Sequence, residues 1–223
     1  MAPDLIPEFG SINLLYFVAK VPAILIAVVL HEYIKALVST KLGDPIPKEK
    51  GRLTLNPFKH LDAFGTICFF FWNYGWGNPV QTSPIHYKDR EQGTLMTYII
   101  PSVANLFVGV MFGIVYNFFN ANVLLELNPA EQPAMMFYLV DGICWVLYWI
   151  AFHNIAMALF NIVPVFPLDG YKVLNLFLKP TWVIKLQQSE MILQIILMAA
   201  LFLQVIQSIY DPAVRLLMGL VWF

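Results

Sequence analysis

The sequence predicts an all-α polytopic membrane protein with a re-entrant or β-hairpin segment after its first long helix. Three observations lead there. Apolar residues make up 59% of the 223 and charged residues only 12%, against about 25% charged in soluble domains. Mean hydropathy is +0.68. Several apolar runs approach the roughly 20 residues that a helix needs to cross a hydrocarbon core about 30 Å thick. The net charge of -1 gives no footprint for nucleic acid. Cys68 and Cys144 lie in apolar stretches and suggest neither a disulfide framework nor a metal cluster.

The N-terminal "MAPDLIPEFGS" lacks the basic region of a cleaved signal peptide, so the first helix is expected to be retained. The first span reads from about 12 to 38. The stretch 63–76 is too short and too rich in glycine to cross comfortably, and reads as a re-entrant or buried β-hairpin. Spans follow at about 94–119, 143–163 and 191–209. The last piece, 214–223, is a half-helix or an interfacial segment. Loop charges test this order. Lys41, Lys48, Lys50, Arg52 and Lys59 follow the first span, Lys88 and Arg90 follow the hairpin, and Lys172, Lys179 and Lys185 follow the fourth apolar stretch. Residues 120–141 carry Glu126, Glu131 and Asp141 but no basic residue. The positive-inside rule puts the three basic segments in the cytoplasm, and closes only if 63–76 does not cross. There is no internal repeat, which argues against a carrier built from inverted halves.

Ionisable groups at membrane depth are costly and mark function. The first span holds three in "HEYIK": His31, Glu32 and Lys35. Positions i and i+4 share a helix face, so His31 and Lys35 point the same way, with Glu32 one step round. The second feature is "FNIVPVFPLDGYKV", 160–173. Pro164 and Pro167 break the preceding helix, and Asp169-Gly170 follows as a turn. A broken helix at membrane depth is tolerated where it is buried in protein or lines a polar cavity.

Together these segments resemble the site-2 protease family, intramembrane zinc metalloproteases with H-E-x-x-H in one core helix and N-x-x-P-x-P-x-L-D-G at the end of another. Asn161, Pro164, Leu168, Asp169 and Gly170 match the second motif, with Phe166 where an inner proline usually stands. The run 41–66, including "RLTLNP", is similar to compact prokaryotic members, and "PSVANLFVG" (101–109) is similar to their G-P-x-x-N element. The resemblance covers roughly 21–173. It implies a site-2 protease-like helical bundle, with residues 1–223 as one membrane-embedded unit: a core at about 12–178, C-terminal helices at about 190–223, and no PDZ or CBS domain. It implies Zn2+ held by His31 and Asp169, Glu32 as the base that activates bound water, and Asn105 and Asn161 positioning the substrate or transition state. The implied substrate is a transmembrane segment of another protein within the lipid bilayer, in regulated intramembrane proteolysis. The implied setting is a multi-pass protein of a prokaryotic plasma membrane with its site toward the cytoplasm.

Lys35 departs from that pattern, because it stands where the second zinc-binding histidine belongs. A catalytic zinc takes three protein ligands, and a protonated lysine has three donors and no lone pair. Three accounts stand open. Burial lowers a lysine pKa and would allow a neutral amine to ligate, opposed by the nearby carboxylates. His153 would substitute as a ligand, although it precedes Asp169 by sixteen residues; His60 and His86 read as loop histidines. In the third account no metal is needed. Lys35 lies between Glu32 and Asp169, and the chain is a pseudoprotease that binds transmembrane helices. The aromatic run "FFFWNYGWG", 69–77, reads either as a hairpin that meets substrate by β-strand addition or as an interfacial belt.

Overall fold

The computed structural model describes residues 14–124 and 134–221. The N-terminal stretch before residue 14, Glu126, Glu131 and the last two residues lie outside them, as do the outer limits expected for the first and last apolar stretches. Among the described residues, three helices are long and apolar enough to cross a membrane. They are α1 (Leu14–Lys41), α4 (Arg90–Phe119) and α5 (Ala134–Phe160), and they pack on one another as the core of the bundle. Small residues make the close approach possible. α1 buries Ala19, Ala23, Ala27 and Ala36, and α5 buries Ala151, Ala156 and Ala158.

Between α1 and α4 the chain folds back along α1. A four-residue helix, α2 (Ile46–Glu49), precedes a turn to His60, and then α3 (Ala63–Trp72). Asp62 caps α3 by accepting from the Gly65 amide at 2.8 Å. Ten residues span only about 15 Å, so α3 enters the bundle without crossing it, and it ends at Asn73 in a left-handed conformation (φ 63°). The return is an extended strap, residues 74–83. No β-strand forms among the described residues; the sole trace of a hairpin there is one antiparallel bridge, Leu61 to Gly77. The expected re-entrant excursion is therefore a half-helix with an extended return. Its aromatic tip is core, since Tyr74 and Trp76 are buried and Tyr74 donates to Asp211 at 2.7 Å.

Contacts along α1 give this excursion a depth. Lys20 donates to the Asn73 side chain at 2.7 Å. Twelve residues on, Glu32 accepts from the Val80 amide at 3.0 Å. Beyond it, Ser39 donates to Asp44, which also accepts from the Ser83 amide at 2.7 Å. The strap therefore runs beside α1 in the same direction. Gly77 marks its closest approach: a Cβ there would lie 2.8 Å from Val28, 2.9 Å from the His60 carbonyl and 3.0 Å from Glu32.

After α5 come α6 (Asp169–Phe177), α7 (Pro180–Gln188), α8 (Glu190–Phe202) and α9 (Val205–Val221). The apolar run 191–209, expected as one span, is two helices. Gln204 takes φ 58° between them. The Gln204 amide closes the break by donating to the Leu201 carbonyl at 3.0 Å, and the Gln207 side chain donates to the same carbonyl at 3.1 Å. α7 and α8 meet at 66° and make at most one bent span.

Candidate active site

α1 presents His31, Glu32 and Lys35 on consecutive turns, and all three are at most 2% exposed. The partner carboxylate arrives from the broken end of α5. That helix stops at Phe160, and residues 161–168 turn back, with Pro164 and Pro167 unable to extend it. The Gly170 amide closes the turn on the Asn161 carbonyl at 2.7 Å. A Cβ at Gly170 would stand 2.1 Å from the Ile162 carbonyl oxygen, so a glycine is required. Asp169, the first residue of α6, is thereby held against α1.

The geometry is a closed set of contacts. His31 Nε2 lies 2.9 Å from Asp169 Oδ2. Lys35 Nζ donates to Asp169 Oδ1 at 2.7 Å and to Glu32 Oε1 at 2.9 Å. Glu32 Oε2 accepts from Val80 N–H at 3.0 Å, so both of its oxygens are engaged. The Tyr98 ring centroid stands 5.9 Å from the ammonium.

A chain of amides orients His31. Asn154 donates to the Ile150 carbonyl at 2.8 Å, which leaves its Oδ1 to accept from Asn105 Nδ2 at 2.9 Å. Asn105 Nδ2 also donates to the Ala27 carbonyl at 3.0 Å. Asn105 Oδ1 therefore faces His31 Nδ1 at 3.0 Å, and Nδ1 carries the proton. One further proton is needed between Nε2 and Asp169 Oδ2 for that contact to be a hydrogen bond. With that proton the set of two carboxylates, an ammonium and an imidazole is neutral, a condition under which buried charges are tolerated.

The other candidates lie apart or at the margin. Asn161 donates to the Met157 carbonyl at 3.0 Å and lines a cavity of about 360 Å³ with Tyr98, Ser102, Pro164, Gly170 and Val173. His153 is fully buried on another face of α5. Its Nδ1 meets the Trp149 carbonyl at 3.0 Å and its ring lies against Phe69 and Trp149; no contact joins it to Asp169. His60 is buried, with Nε2 donating to the Thr54 carbonyl at 2.7 Å. His86 lies 3.6 Å from Asp44, away from the cluster. Sequence reasoning missed Asn154 and the Val80 amide. Asn154, a polar residue beside His153 in an apolar helix, carried a readable signal; a backbone amide carries none.

The donor set does not fit a resident catalytic zinc. Such an ion takes three protein ligands and leaves a fourth position open. His31 Nε2 and Asp169 Oδ2 converge as two ligands would, but the third corner holds an ammonium with no lone pair. That ammonium already binds the carboxylate a metal would need.

Comparison with known proteins agrees with the architecture. The family model for Peptidase family M50 matches residues 63–204, which include Asp169 and begin downstream of His31. The chain is 33% identical over 168 residues to "Putative zinc metalloprotease YwhC" of Bacillus subtilis (strain 168), covering 75% of this chain and 72% of that protein. No solved structure matches. On the extent of these two matches, the chain belongs to peptidase family M50, the site-2 protease family.

Proposed function

We propose that this chain is a non-hydrolytic member of its family, which holds transmembrane segments of other proteins in a site-2 protease-type bundle. One observation carries the reading: the Lys35 ammonium sits between Asp169 and Glu32 at 2.7 and 2.9 Å. It supplies there the positive charge that a metal supplies in a protease. Glu32, the expected base, instead accepts from Lys35 and from the strap. The 360 Å³ cavity beside the cluster, between α4 and the turn that leads into α6, is the place where a segment would rest. Basic loops at one end of α1 and around α7 support a site facing the cytoplasm, in a bacterial plasma membrane like that of its relative's host.

A second reading is zinc-dependent cleavage of transmembrane segments. The 2.9 Å approach of His31 Nε2 to Asp169 Oδ2 and the presence of Glu32 favour it. It requires Lys35 to leave both carboxylates. Reconstituted protein carrying a photo-crosslinking residue at Ile99, on the cavity wall, separates the two. The proposal expects an apolar transmembrane reporter to be captured there intact. Cleavage of the reporter by the unmodified chain, abolished by Glu32→Gln, would establish the second reading.

A further inference from the structure

The turn from Arg52 to His60 exposes large apolar side chains in an unexpected place. Leu55 is 68% and Phe58 85% exposed, yet both ends of the turn are tied to the strap. The Arg52 guanidinium donates to the Asn78 carbonyl, and the Asn78 amide donates to the His60 carbonyl at 2.7 Å. Two residues on, the strap meets Glu32. Glu32 lies nine residues before Lys41, the end of the α1 span, or about 13 Å along the helix axis. The two ends of the turn are therefore anchored beside the candidate α1 span rather than beyond its end. In a bilayer an outward-facing phenylalanine at that level would meet hydrocarbon.

Two neighbouring features fit the same medium. On α3, Phe64, Ile67 and Phe71 are exposed at i, i+3 and i+7, which share one helix face and continue the apolar surface deeper. Lys48 and Lys50 follow the α1 terminus and Lys59 stands in the turn itself; all three are exposed, with Glu49 the one acidic residue from 45 to 61. Long basic side chains bury their stems and reach to phosphate.

We propose that the Arg52–His60 turn is a lipid-immersed wedge. Leu55 and Phe58 lie among the acyl chains of the leaflet that holds the C-terminal end of α1, and Lys48, Lys50 and Lys59 hold anionic headgroups above them. The wedge backs directly onto the strap that binds Glu32, so the lipid on one side and the ion cluster on the other share one piece of backbone. This holds whether or not the chain cleaves anything.

The test places a nitroxide at Phe58→Cys and, in a second protein, at Leu55→Cys; Cys68 and Cys144 are buried. The full chain is reconstituted in phosphatidylcholine vesicles, with or without phosphatidylglycerol. Collision rates with oxygen, which partitions into lipid, and with an aqueous nickel complex are compared with those at Lys88→Cys. The oxygen-to-nickel ratio should exceed that of the Lys88 control, as for a side chain buried below the headgroups. It should rise further with phosphatidylglycerol, and that rise should vanish when Lys48, Lys50 and Lys59 are all changed to Gln. Free access of nickel would overturn the wedge in favour of an aqueous loop. Exclusion of both reagents would overturn it in favour of a protein partner or a second copy covering the turn. A ratio indifferent to phosphatidylglycerol would overturn the headgroup contacts.

Discussion

Two lysines on α1, fifteen residues apart, are both nearly buried: Lys20 at 4% and Lys35 at 2% exposure. Their surroundings differ. Lys35 is wedged between two carboxylates. Lys20 donates to the Asn73 side chain at 2.7 Å, approaches the Phe70 carbonyl at 3.5 Å and lies 4.4 Å over the Trp149 ring. It thus meets the C-terminal end of the α3 half-helix, where the helix dipole favours a cation. Lys35 neutralises charge that the site already holds, whereas these contacts of Lys20 are to dipoles and a ring face. The first arrangement fails badly when the cation is removed, because two anions stay behind.

Stability measurements on substituted protein in detergent can break or sharpen that contrast. The largest effect belongs to Lys35→Met, which strands Glu32 and Asp169 without their cation and should cost about 3–5 kcal/mol. Adding Glu32→Gln and Asp169→Asn should recover most of that loss, because the stranded charges go with the lysine; failure to recover would mean that Lys35 acts through packing. Next comes Asn154→Ala, expected to cost about 1–3 kcal/mol because Asn105 loses the acceptor that orients it. Its calorimetric loss should be coupled to that of His31→Ala, and strict additivity would break the amide chain as described. Lys20→Met should cost less than Lys35→Met, since its cation–π contact and dipole interaction go together with a desolvated charge. A cost equal to that of Lys35→Met would erase the distinction between the two lysines. The smallest effect is at Lys172, whose pairing with Glu190 at 4.0 Å is long and partly exposed; Lys172→Ala should stay within about 0.5 kcal/mol.

The same contrast shows what could be read from sequence. His31, Glu32, Lys35 and Asp169 were legible because ionisable residues in apolar helices are rare and their spacing fixes a face. The proline break before Asp169 was legible because Pro164 and Pro167 cannot extend α5. The role of Lys20 was not legible, because Asn73 and Gly75 each offer a stop for the half-helix and only the fold brings one of them to Lys20. The hold of Val80 on Glu32 was hidden for a related reason: any residue but proline offers the same amide. The break between α8 and α9 escaped notice because apolar composition runs on past Gln204. Its signature is a backbone angle, with Gln207 turned inward to serve a carbonyl.

Zinc content of the purified chain tests the central claim most directly, measured on the unmodified protein and on Lys35→His side by side after equal exposure to zinc and removal of loosely bound ion. With the ammonium in the place of the metal, the unmodified chain should retain far less than one zinc per molecule. Lys35→His, with three donors around one point, should retain about one. One firmly held zinc in the unmodified chain would contradict the account.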